Sequence, residues 1–181
     1  MPTNADIPPS RWVARFAPLI PPGGLVLDLA AGGGRHTRLL LDRGHSVRAV
    51  DRDTGALRRL AGPRCEIVEL DLETAGPWPL GAGYDGIVVA NYLYRPLLPA
   101  IAAALAPGGV LIYQTFALGN ERFGRPRRPE FLLRPGELLE AFAALTIIAF
   151  EQGEVASPAP AAIQRIAATA GPLGRLAIDA V

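Results

Sequence analysis

Short apolar runs alternate with helix-like stretches along this chain, and most runs stop on a polar residue. Runs at 25–29, 46–50, 65–70, 84–90 and 110–116 predict five strands. The run Ile87-Val88-Val89-Ala90 lacks polar alternation, as expected of a parallel strand covered on both faces. Between the runs, 35–43 predicts a helix with Leu39, Leu40 and Leu41 turned to the sheet and Gly44 as its stop. A short helix at 54–61 is expected with Thr54 as N-cap, another at 96–105 with Pro96 in its first turn, and one at 138–144. Ahead of the first strand, 7–20 reads as a helix that starts after Pro8-Pro9-Ser10 and stops before Pro21-Pro22-Gly23-Gly24. Runs at 146–152 and 161–169 predict two more strands about a Ser157-Pro158-Ala159-Pro160 turn. Residues 117–134 form a polar loop too long for a plain connector, and 171–181 a weakly ordered tail. Five strand–helix units and a terminal hairpin predict an α/β fold: a doubly wound, seven-stranded, mostly parallel sheet with helices on both faces and the last strand antiparallel.

Composition narrows the setting. At 181 residues the chain suits one domain, 1–181, able to bury about 70% of its unfolded surface. Half its residues are hydrophobic and 19% charged, and no apolar stretch approaches the ~20 residues of a membrane span. MPTNADIPPSRW shows no signal-peptide pattern. The single cysteine, Cys65, cannot form an internal disulfide and suits a reducing compartment. A soluble cytoplasmic protein with no membrane partner is the expectation. The net charge of +1 is too balanced for a general nucleic-acid binder. All the basic residues are arginine. No metal site is expected.

The chemistry concentrates between Val26 and Asp53. The first apolar run ends in an Asp-x-Ala-x-Gly-x-Gly turn (Asp28, Ala30, Gly32, Gly34), a helix follows, and the second run ends on Asp51. Strand, glycine loop, helix, strand and acid make one βαβ nucleotide-binding unit, with its ribose-binding carboxylate in place. A dinucleotide loop wants a third glycine three residues after the second, where this chain has Thr37. Its third small residue lies upstream instead, at Ala30. The strands would end on Asp28, Asp51, Asp71, Asn91 and Gln114, all on the edge where doubly wound sheets bind ligands.

LDLAAGGGR, AVDRD, ELDLE, YDGIVVANYLY and LAPGGVLIY follow one another in order over roughly residues 10–170. On these motifs the chain resembles class I S-adenosylmethionine-dependent methyltransferases, with a loose similarity to small members of the tellurite-resistance type. Ala30 departs from the glycine common in that family. The resemblance implies that Asp28, Arg35 and the Ala30–Gly34 backbone hold the methionine portion of S-adenosylmethionine. It places the ribose on Asp51 and the adenine amino group on Asp71, with Arg52 and Leu72 against the ring. Asn91 and Tyr92 would close the cleft.

The methyl acceptor is not written in these motifs; a small molecule is expected. An acceptor that needs a base has His36, Tyr92 and Tyr94 as candidates, while a thiolate or chalcogen oxyanion would need none. Arg122, Arg125, Arg127 and Arg128, with Arg134, could recruit an anion, or could simply be a solvated lid. Trp12 and Phe16 make the N-terminal segment, 1–22, another plausible lid. Blander readings accompany these: His36 as an exposed residue at a helix start, His45 as a turn residue, Asp85 as the start of a strand, Cys65 as buried filler, and Trp78 as a plug at the adenine end. Two other functions stay open. One is a non-catalytic cofactor-binding relative, and the other an NAD(P)-dependent Rossmann oxidoreductase, disfavoured by Thr37 and the absence of lysine. Oligomeric state cannot be read from the chain.

Overall fold

A computed structural model of the chain describes residues 7–74 and 76–172, so the tail expected at 171–181 lies almost wholly outside the described residues. The strands are β1 (Leu25–Leu29), β2 (Ser46–Asp51), β3 (Cys65–Glu69), β4 (Tyr84–Ala90), β5 (Leu105–Phe116), β6 (Thr146–Val155) and β7 (Ala161–Thr169). They form one sheet in the order β3-β2-β1-β4-β5-β7-β6. The pairings among β1 to β5 are parallel, and β7 runs antiparallel to both of its neighbours, β5 and β6. This is the expected sheet, with β6 and β7 as the expected hairpin. The order reverses between β1 and β4, and the crevice at such a switch point is where doubly wound sheets bind ligands.

Alternation along the strands divides the core into two layers. Val26, Val47, Ala49, Val88, Val110 and Ile112 face α1 (Arg11–Phe16) and α2 (Arg35–Asp42). Leu27, Leu29, Ile87, Val89, Leu111 and Tyr113 face α3 (Leu98–Ala103) and α4 (Glu137–Ala141). Helices thus cover both faces.

The helices are shorter than the sequence pattern predicts. Residues 7–20 contain only α1 and a 3₁₀ turn at Ala17–Leu19 that holds Pro18. Residues 54–61 hold only the turn Arg58–Leu60. The Thr54 hydroxyl there donates to Glu69 (2.6 Å) rather than capping, and the Asp53 carboxylate accepts from the Gly55 amide. Tertiary contacts have overridden helix propensity at this point. On α2 the buried residues are His36, Thr37 and Leu40, with Leu39 and Leu41 only partly covered. Three consecutive side chains span 200° of a helix and cannot share one face.

Trp12 and Phe16 are 2% exposed. Their rings pack at 4.5 Å, and the indole N–H donates to the Ile166 carbonyl. Burial of this kind contributes about 2–3 kcal/mol per ring. The two residues are core anchors, and the idea of a lid built on them is overturned.

Candidate functional site

Past β1 the chain turns sharply. Ala30 and Gly32 both have φ of 55°, and Gly34 has 78°. The Ala31 amide donates to the Val50 carbonyl and the Gly34 amide to the Ala31 carbonyl. Gly34 is glycine for two reasons: its φ is left-handed, and a β-carbon would lie 2.6 Å from Leu60 and 2.9 Å from Leu57. At Gly32 a β-carbon would meet nothing within 4 Å; open space lies beside this part of the loop. Ala30 holds a left-handed conformation that costs an L residue about 1–2 kcal/mol. Asn91, just past the adjacent strand β4, does the same with φ of 58°. Two such residues side by side at the switch point mark a place where local strain is tolerated.

The Asp51 carboxylate is fixed by two backbone amides, Gly32 on Oδ2 (2.8 Å) and Asp53 on Oδ1 (3.0 Å). Its remaining lone pairs border a cavity of about 320 Å³. Six residues named from the sequence line that cavity: Ala30, Asp51, Arg52, Asp71, Leu72 and Tyr92. Three others complete it, Leu70, Glu73 and Phe131. Asp71 is held in a turn by accepting from the Glu73 amide (2.9 Å). The Tyr92 hydroxyl is buried and without a partner.

Asp28 lies beneath the loop, 1% exposed, and accepts from the Thr37 hydroxyl at 2.5 Å. Burial pushes its carboxyl up to about 6, against the pull of Thr37 and Arg35. Thr37, which stands where a dinucleotide loop would carry glycine, here serves that buried acid. Asn91 is exposed and outside the cavity lining, and its amide pairs with the Gln114 carbonyl.

The candidate bases fare differently. His36 is not exposed: it is 3% accessible, and its Nε2 accepts from the Ser10 amide at 3.2 Å. Burial, helped by Arg35, holds its imidazole down to about 3. A neutral ring with an occupied acceptor has no free nitrogen at Nε2 to take a proton. Burial and the nearby Glu73 and Asp71 charges raise the Tyr92 phenol well above the usual tyrosine value. The Tyr94 hydroxyl donates to the Glu73 carbonyl at 3.3 Å. Ser10 also ties the N-terminal segment to β5, its hydroxyl donating to Gln114 at 2.5 Å.

The arm 117–134 is stitched down. Ala117 and Leu133 bridge its two ends, and buried Asn120 donates to the Pro126 carbonyl while accepting from the Ala162 amide. Its arginines are exposed, and none of them lines the 320 Å³ cavity. Arg122 pairs with Glu154 at 2.5 Å and borders a separate hollow of about 150 Å³. Arg128 pairs with Glu130, and Arg134 lies 3.4 Å from Glu137. The arm's contribution to the cavity is Phe131.

Arg95, to which the sequence reading assigned no role, is central to this arrangement. It grips both Glu137 oxygens (2.6 and 3.0 Å) and donates to the Glu130 (2.7 Å) and Leu132 (2.8 Å) carbonyls. Burial would raise the Glu137 carboxyl, but hydrogen bonds from Arg95 and the Arg134 amide outweigh it and hold the group below its ordinary value. The partners lie 42 residues apart, and nothing in either local sequence announces the pair. Elsewhere, the Trp78 indole donates to Gly81 outside the cavity, Asp85 accepts from the Leu25 amide as β1 begins, and His45 and Cys65 are buried. Among the described residues no cluster of three metal-ligating side chains occurs.

These residues fit the nucleoside end of S-adenosylmethionine. Asp51 offers oxygens to a vicinal diol, and Leu70, Leu72, Tyr92 and Phe131 offer flat or apolar surface to a ring beside Asp71. The strand order, the glycine loop and the acids at the ends of β2 and after β3 together define the class I S-adenosylmethionine-dependent methyltransferase fold.

No family model matches the chain. It is similar to trans-aconitate 2-methyltransferase of Variovorax paradoxus, 30% identical over 113 residues. That match takes in 59% of this chain and 43% of the relative, so the chain spans less than half the length of that protein. Its fold is similar to 1,6-didemethyltoxoflavin-N1-methyltransferase of Burkholderia thailandensis, solved with 1,6-didemethyltoxoflavin and S-adenosylhomocysteine bound (TM-score 0.66, 25% identity, 90% of this chain and 78% of that one). It is similar also to TehB of Haemophilus influenzae (TM-score 0.68, 20% identity, 87% and 60%). No helix among the described residues is long and apolar enough to cross a membrane.

Proposed function

We propose that this chain transfers a methyl group from S-adenosylmethionine to a small acceptor that already presents a lone pair at neutral pH. The observation that carries the cofactor half is the Asp51 carboxylate, pinned by the glycine loop at the rim of a cavity with apolar walls. When bound, S-adenosylmethionine supplies a methyl group activated by its sulfonium. The chain's part is to bind and orient. Asp51 would hold the ribose hydroxyls, Asp71 the adenine amino group, and Leu72 and Arg52 the ring. Asp28, beneath the loop, would act on the cationic methionine end, with Arg35 and the Ala30–Gly34 backbone around it.

In-line displacement at a methyl group gains most from orientation, and effective molarities can lower such barriers by up to ~7–11 kcal/mol. The acceptor half of the proposal rests on the three candidate bases. His36 is neutral with its Nε2 occupied, the Tyr92 phenol is raised, and the Tyr94 hydroxyl is already donating. A carboxylate, a thiolate or a ring nitrogen needs no base. Carboxylate and nitrogen acceptors also agree with the relatives named for trans-aconitate and for the N1 of a toxoflavin precursor. Arg125 and Arg127 could then collect an anion from solvent, a long-range steering role.

Calorimetry with S-adenosylhomocysteine and with NAD tests the first half. The homocysteine compound is expected to bind and NAD is not; the opposite result ends the proposal. A turnover screen with polycarboxylate, thiol, ring-nitrogen and phenol acceptors tests the second. Turnover confined to phenols, rising as they ionise through an enzyme group, would return a base to the mechanism.

A further inference from the structure

We propose that Arg95 is a positioning residue that holds Phe131 against the cavity, so that the arm 117–134 acts as the outer wall of the methyl-donor site. The inference rests on reading that cavity as the nucleoside site. Phe131 is the arm residue that lines it, yet Phe131 belongs to neither core cluster and is 39% exposed. Core packing of its own ring therefore does not fix its place, although the next residues, Leu132 and Leu133, are buried. On either side of the ring the backbone is anchored by one side chain: the Arg95 guanidinium donates to the carbonyl before Phe131 and to the carbonyl after it.

The other edge of the same guanidinium is bidentate on Glu137, whose side chain is 5% exposed. Glu137 also accepts from the Arg134 amide at 2.7 Å, joining the clamp to the start of α4. From outside, Arg128 lies over the Phe131 ring at 5.5 Å. A planar guanidinium can serve a carboxylate and two carbonyls at fixed angles, whereas a lysine ammonium can hold the carboxylate but not the full fork.

The test measures S-adenosylhomocysteine affinity by calorimetry for wild type, Phe131→Ala, Arg95→Ala, Arg95→Lys and the Phe131→Ala/Arg95→Ala pair, with melting temperature for each. Phe131→Ala is expected to weaken binding about tenfold, the scale of an aromatic–base contact. Arg95→Ala should do the same, and the double variant should be no weaker than the weaker single. Arg95→Lys should melt near wild type yet bind like Arg95→Ala. A Phe131→Trp reporter should shift its emission when S-adenosylhomocysteine is added, and lose that shift when Arg95→Ala is introduced. Wild-type affinity in Arg95→Lys, or losses that multiply in the double variant, would overturn the clamp. If Arg95→Ala does not fold, Arg95→Lys and Phe131→Ala still decide. Absence of S-adenosylhomocysteine binding by the wild type would instead overturn the cofactor reading, and the clamp with it.

Discussion

The wall of the cavity made by β1, β2 and β3 differs from the wall made after β4 and β5 in how far its determinants lie from one another along the chain. On the first side, Ala30, Asp51 and Asp71 each stand within two residues of a strand end, and their geometry comes from tight turns and neighbouring amides. On the second side, Phe131 is placed by Arg95 and Glu137, which belong to different elements. The first wall is a property of backbone conformation and fails when a turn cannot form. The second is a property of one partly buried ion pair and fails when a charge is removed.

The largest effect is expected from breaking the first wall at its root. Gly34→Ala forces a side chain into a φ of 78° and against Leu60. About 3 kcal/mol of stability should be lost, lowering the melting temperature by roughly 6–12 °C. Equilibrium unfolding in urea checks this, and a loss under about 1 kcal/mol would mean that the loop readily adopts another path. Next comes Asp51→Ala, expected to weaken S-adenosylhomocysteine binding by ~1.5–3 kcal/mol through lost charged hydrogen bonds. Unchanged calorimetric affinity would remove the ribose assignment.

The second wall should break more gently and with a pH signature. Glu137→Gln leaves Arg95 without its carboxylate, and because Arg95 is about one-third exposed the cost is set at ~1–2 kcal/mol. The Glu137 carboxyl lies lower in the folded protein than in the free chain. Its contribution is therefore complete above the unfolded value near ~4.3 and is lost as pH falls through the native one. Wild type and Glu137→Gln should differ at pH 7 and converge in acid; a gap that persists in acid would show that charge is not the cause.

Asp28 has the opposite sign. Its carboxyl is raised from 3.8 to about 6 by burial, so its ionisation costs stability that is absent below the free value and complete above the native one. Asp28→Asn should be more stable by up to about 3 kcal/mol near pH 7, lose that advantage by pH ~4, and bind S-adenosylhomocysteine less well. A stability gain independent of pH would contradict the burial argument.

These contrasts also explain what could be read from residue order alone. The sheet was legible because continuous apolar runs ending on polar residues mark buried parallel strands, and the antiparallel hairpin followed from the Pro158 and Pro160 turn. The helices were less so. The 54–61 segment has the residues of a helix but is diverted by the Asp53 turn and by the bond from Thr54 to Glu69. Ala30, Asp51 and Asp71 could be placed beside the cavity because they stand at strand ends, and Arg52, Leu72 and Tyr92, implied by the family resemblance, line it as well. His36 was misjudged as exposed because burial against Ser10 depends on a segment 26 residues away. Phe131 and Arg95 were missed for the same reason, since an ion pair across 42 residues leaves no periodic trace. Emphasis on the arm's arginines fell on its most conspicuous charges, while its cavity contact is an aromatic ring.

The bridge between Ala117 and Leu133 has a consequence for how such a molecule diversifies. It brings the two ends of the arm to within a single strand spacing, so whatever chain runs between them starts and finishes at the same place. Closing a loop costs only about 0.6 kcal/mol for each doubling of its length. The arm is in that sense an exchangeable cassette: fifteen residues between the bridge partners, set into the frame of the sheet. Its length can change at little cost provided that Phe131 and the two carbonyls that Arg95 holds keep their places.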